Sequence, residues 1–127
     1  VQFGGLGKGT MRAKLKGLHS PDIDNLETWS PGDGPFGFFL QAMIGPSDGP
    51  GEESFNLTVC TPEWFAAHRM ETGMMMGSRT LFVSVYDYRA IRTYLERAAQ
   101  RTEGKNWREV AESLSWLGEW EFENYQS

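Results

Sequence analysis

Few side chains in this sequence could carry covalent or acid–base chemistry: one cysteine, Cys60, two histidines, His19 and His68, and a close pair of carboxylates, Asp22 and Asp24. A thiolate nucleophile needs a base within reach, oxyanion donors and a pocket. Cys60 closes an alternating apolar run that reads as a strand, so a buried, reduced thiol is expected there. Paired carboxylates act as acid and base when their surroundings push their pKa values apart. Asp22 and Asp24 lie instead in an exposed Pro-rich stretch, where Asx-turn hydrogen bonding or contact with a partner's cation is the expected role. Two histidines far apart in sequence and a single cysteine do not supply a zinc site. The string GGLGKGT, residues 4–10, has the look of a phosphate loop. Gly9, however, separates Lys8 from Thr10, and the segment precedes the first strand instead of joining a strand to a helix. Neither catalysis nor a metal or cofactor is expected.

Charge is sorted along the chain. Between His19 and Glu63 lie eight carboxylates, Asp22, Asp24, Glu27, Asp33, Asp48, Glu52, Glu53 and Glu63, and no Lys or Arg. All twelve basic residues fall between Lys8 and Lys16 or between Arg69 and Arg108. Runs of like charge most often simply face water, but sorting of this kind also creates potentials that steer association. The acidic stretch asks for a basic partner. Trp29, inside it, is the expected aromatic anchor, because aromatic residues dominate binding hot spots. Asp22, Asp24, Glu27, Trp29 and Asp33, with Asp48, Glu52 and Glu53 from a later turn, form one candidate binding surface. The helix face with Arg89, Arg92, Arg97 and Arg101 forms a competing one, partly self-neutralised because Glu96 can pair with Arg92 at a spacing of four. Met74, Met75 and Met76 are either an adaptable apolar contact or an edge segment packed on its own core.

At 127 residues, with 39% hydrophobic and 23% charged residues, the sequence fits one folded domain with a core of its own. No apolar run approaches the length of a membrane span, and no basic stretch with an apolar signal core opens the chain. With a single reduced cysteine, a cytoplasmic location is expected. A net charge of −5 argues against direct binding to nucleic acid, which needs a basic footprint.

The elements that position these residues follow from periodicity and capping. Residues 1–10, Gly-rich and without an initial Met, read as a leader or expression remnant, and residues 11–127 as the domain. Met11, Ala13 and Leu15 alternate with Arg12, Lys14 and Lys16, the period of a half-buried strand with a basic outer face. Residues 20–35 read as a long ordered loop. Phe36 to Ile44 reads as a central strand, paired through a turn at 45–52 with a strand carrying Phe55, Leu57 and Val59. Thr61 and Pro62 mark the start of a short helix. Thr80 to Tyr86 reads as a strand with Leu81, Val83 and Val85 inward, and Asp87 as the cap of a helix burying Ile91, Leu95, Ala98 and Ala99. Asn106 and Glu109 resemble a capping box opening a helix with Trp107, Val110, Ala111, Leu114 and Leu117 on one face. Glu119 to Glu123 alternates as a closing strand; beside the Arg12 to Lys16 strand, it would set opposite charges across a ladder. The sum is an α+β single domain, an antiparallel or mixed sheet of about five strands with about three helices packed on it.

The strings MRAKLKGLHSPDIDNLETW (11–29), FGFFLQAMIGP (36–46), ESFNLTVCTPEW (53–64), TLFVSVYDYRAIRTYLE (80–96) and WLGEWEFENY (116–125) closely resemble the immunity protein 8 family of bacterial polymorphic toxin systems. The resemblance implies an α+β domain that binds and neutralises a cognate toxin domain, encoded by a neighbouring gene, in the producing cell. It implies no catalytic residues and transfers no contact map. Stoichiometric occlusion is the expected mechanism, and the groove of a nuclease toxin would be basic enough to receive the acidic stretch. A small-molecule-sensing or structural domain, or less readily a small hydrolase, remains the alternative.

Overall fold

The computed structural model describes residues 10–122. Six strands and three helices follow in the order β1 (Met11–His19), β2 (Gly37–Pro46), β3 (Glu53–Cys60), α1 (Pro62–Arg69), β4 (Thr80–Phe82), α2 (Tyr88–Gln100), β5 (Glu103–Gly104), α3 (Trp107–Ser113) and β6 (Glu119–Trp120). The sheet runs β4-β3-β2-β1-β5, with β6 paired to the early part of β3; only the β3–β4 pair is parallel. This is the expected α+β architecture, a mixed sheet with three helices.

Strand periodicity decides the core. Phe38, Leu40, Ala42 and Ile44 of β2, Phe55, Leu57 and Val59 of β3, and Ala13 and Leu15 of β1 are all buried and point to one face. Ile91, Leu95, Ala98 and Ala99 of α2 join Val110 and Ala111 of α3 in the same cluster. Thr61 caps α1, its hydroxyl accepting from the Trp64 amide at 3.3 Å, and Asp87 caps α2 through the Ala90 amide at 3.1 Å. The box at α3 closes one residue wider than expected: Asn106 accepts from the Glu109 amide, while the Glu109 carboxylate reaches back to the amide of Lys105.

Two expectations are corrected. The closing strand is a strand only at Glu119–Trp120, with residues 121 and 122 in a turn, and the condition of lying beside β1 is not met. β6 pairs with Phe55 and Asn56 of β3, and β1, besides its partner β2, has β5 at its other edge, formed by only Glu103 and Gly104. Opposite charges do face one another on β1, but through Arg12 and Glu103 at 2.8 Å. The stretch 80–86 is a strand only to Phe82, and Val85 is 67% exposed. β3 ends at Cys60, where the chain turns into α1, so after the Val83 amide bonds the Cys60 carbonyl no partner backbone remains. The assignment of residues 1–9 to a leader, and Glu123 of the closing strand, lie outside the described residues.

Candidate interaction surface

The acids adjacent in sequence are separated in space. Asp22, Asp24, Glu27 and Asp33 belong to the β1–β2 loop, at the Gly37 end of β2; Asp48 and Glu52 belong to the β2–β3 turn, at the other end. Ten residues of strand lie between, about 30 Å of rise. The turn is also locally neutralised: the Lys16 ammonium donates to the carbonyls of Gly49 at 2.6 Å and Gly51 at 2.9 Å.

Three members of the candidate set hold the fold together. β1 stops pairing after His19 and Gln41, which leaves both backbone groups of Phe39 without a strand partner on that side. The Ser20 hydroxyl donates to the Phe39 carbonyl at 2.6 Å, and the Asp22 carboxylate accepts from its amide at 3.0 Å. Glu53 Oε1 accepts from the indole nitrogens of Trp107 at 2.6 Å and Trp120 at 2.7 Å. Trp29 is half-buried, its ring edge-on to Tyr86 at 4.8 Å, Phe38 at 5.3 Å and Phe36 at 5.9 Å. Together with buried Ile23 and Leu26, that cluster fastens the loop to the end of the sheet, and the Tyr86 hydroxyl donates to the Leu26 carbonyl. Asp24, Glu27 and Asp33 are left exposed on a rigidly seated loop.

The competing basic face begins beside that loop. Glu27 lines one hollow with Arg89, Arg92 and Glu96. Arg92 is spoken for, its Nη1 donating to the Tyr88 hydroxyl at 3.0 Å and its Nε to Glu96 at 3.1 Å; the Tyr88 bond first, and the Glu96 bond with it, hold its guanidinium pKa above the usual value against a lowering by burial. Arg89, Arg97 and Arg101 make no ion pair among the described residues, and they flank Tyr94 along the outer side of α2.

Sequence reasoning missed the apolar ground next to Tyr94. Phe82 is 46% exposed, Val85 67%, Tyr94 48% and Trp116 56%. They line two adjoining hollows of about 260 and 250 Å³ that share Leu81, Phe82 and Tyr94. Gly77 and Ser78 border the second hollow, immediately after the exposed Met74, Met75 and Met76. The available signal was Tyr94 itself, an aromatic residue one position outside the Ile91–Leu95–Ala98 stripe.

The groups considered for chemistry are dispersed. Cys60 is buried, and that burial pushes its thiol pKa up against a smaller opposing effect of Arg69, which disfavours the thiolate. His19 is exposed, and His68 is stacked on Trp64 with Nδ1 3.0 Å from the Trp64 carbonyl. Among the described residues, no three His, Cys, Asp or Glu gather into a metal-holding group, and no helix is long and apolar enough to cross a membrane. The surface carries exposed carboxylates, guanidinium groups outside any ion pair among the described residues, and an apolar groove.

Neither curated proteins nor solved structures give a match to this chain. A family description does, over residues 13–125, nearly the whole domain described above. The chain thus belongs to the immunity protein 8 family.

Proposed function

We infer that this protein binds and neutralises a cognate toxin domain, encoded beside its own gene, by occluding it one-to-one in the cytoplasm of the producing bacterium, without catalysis. The observation that carries the reading is membership of the immunity protein 8 family along nearly the full domain. The absence of convergent chemistry among the described residues and the presence of a firmly seated acidic loop agree with a binder. Asp22, Asp24, Glu27 and Asp33, with Trp29 beneath them, form the toxin-facing part at the Gly37 end of the sheet. Asp48, Glu52 and Glu53 contribute at most a second, distant contact. Complementary charge on a nuclease toxin's substrate groove would speed encounter and disfavour wrong partners.

The test is co-purification with the neighbouring toxin domain at low and high salt, with toxin activity assayed in parallel. A stable complex that silences the toxin is expected, weakened by salt and by combined reversal of Asp24, Glu27 and Asp33 to Lys. A silenced toxin whose binding ignores both treatments would move the contact away from the loop. No complex with the neighbouring toxin would overturn the function itself.

A further inference from the structure

Tyr94, Phe82, Val85 and Trp116 make a concave apolar surface, and its rim carries Arg89, Arg97 and Arg101 without ion-pair partners among the described residues. Scattered exposed apolar residues need no explanation, but four large ones around adjoining hollows mark an interaction site. Tyr, Trp and Arg are also the residue types that supply most binding energy at interfaces. In a chain of net charge −5, these three guanidinium groups are a local reversal of sign: of the acids near them, Asp87 is engaged as the cap of α2, Glu96 is paired with Arg92, and Glu27 lies at the Arg89 end only.

We propose that the groove between β4 and α2 is the docking site for a toxin segment that inserts a bulky apolar side chain between Tyr94 and Phe82 and sets carboxylates against Arg89, Arg97 and Arg101. The proposal rests on the immunity reading and assigns the contact that reading leaves open. The apolar anchor follows from the hollow of about 260 Å³ between Phe82, Val85, Ile91 and Tyr94, whose lining is apolar apart from Asp87; the adjoining hollow is more polar, with Ser78, Arg79 and Thr80 beside Trp116. The carboxylates follow from the arginines, whose planar forks pair with them bidentately. Glu27 and Arg89 line a common hollow, so the acidic loop continues into the groove's basic rim. A toxin that touches both meets opposite charges at its two ends and is fixed in one orientation.

The full chain is tested against the neighbouring toxin domain by calorimetry and stopped-flow association. Tyr94→Ala combined with Trp116→Ala, and separately Arg97→Glu combined with Arg101→Glu, should each weaken binding roughly tenfold or more. The arginine reversal should do so mainly through slower association. Lys14→Glu, at the opposite end of the sheet, should leave affinity unchanged. Circular dichroism and melting verify the folded state; should the aromatic pair fail to fold, the arginine pair decides, since both side chains are exposed. Wild-type affinity in the decisive variants overturns the groove and leaves the immunity function standing. Variants that instead dissolve a homodimer while retaining toxin affinity assign the groove to self-association and overturn the proposal. A wild-type chain that binds no toxin removes both readings.

Discussion

Glu53, half-buried, shows how a residue that looks like surface charge is committed to holding the fold together. Its single Oε1 receives two indole N–H groups, from elements far apart in sequence. Buried Trp needs an acceptor for that N–H, and a charged acceptor strengthens the bond. Glu53→Ala strands both donors and should cost about 2–4 kcal/mol in urea unfolding. Glu53→Gln, whose amide oxygen can still accept, should cost distinctly less. Tyr86 is the second such residue. Burial, and to a lesser degree the neighbouring Tyr88, push its hydroxyl pKa up to about 12. Because the folded state holds this proton more tightly than the unfolded one, the contribution is fully present below about pH 10 and is lost as pH rises toward 12. Tyr86→Phe, lacking the bond to Leu26, should be less stable by about 1–2 kcal/mol at pH 7. Its unfolding midpoint should also fall less steeply than that of the wild type between pH 10 and 12.

At the scale of elements, the seating of α1 depends on a missing side chain. A Cβ on Gly37 would lie 2.3 Å from the Trp64 ring, so the helix packs on β2 only because that position is bare. Gly37→Ala should displace Trp64 and lower the melting temperature, whereas the same change at exposed Gly77, with nothing within 4 Å of the added atom, should leave it nearly unchanged. Caps and inward faces were legible because they are local: Thr61-Pro62, Asp87 and the 91–95–98 spacing each specify their own few residues. The length of β4 and the existence of β5 were not. A strand lasts as long as its partner's backbone does, and β3 ends at Cys60, while Glu103 and Gly104 are a strand only because Met11 and Arg12 lie beside them.

For the whole molecule, charge order in sequence and charge order in space differ. The hairpin carries Asp48 and Glu52 away from the loop acids and places them beside the basic strand, where Lys16 binds the turn. Reversal of Asp24, Glu27 and Asp33 should therefore slow toxin association and flatten its salt dependence, while reversal of Asp48 and Glu52 should change both much less; stopped-flow rates at two ionic strengths compare them.

The α+β class, the helices with their caps, the faces that turn inward and membership of a toxin-immunity family are legible in the order of residues, because periodicity, capping and family motifs are local or linear properties of the chain. The pairing of β6 with β3, the use of Asp22, Trp29 and Glu53 as structural fastenings as well as surface candidates, and the groove shared by Phe82, Val85, Tyr94 and Trp116 emerge only in three dimensions. Those are contacts between residues distant along the chain, and they exist only once strand pairing and helix docking have brought their elements together.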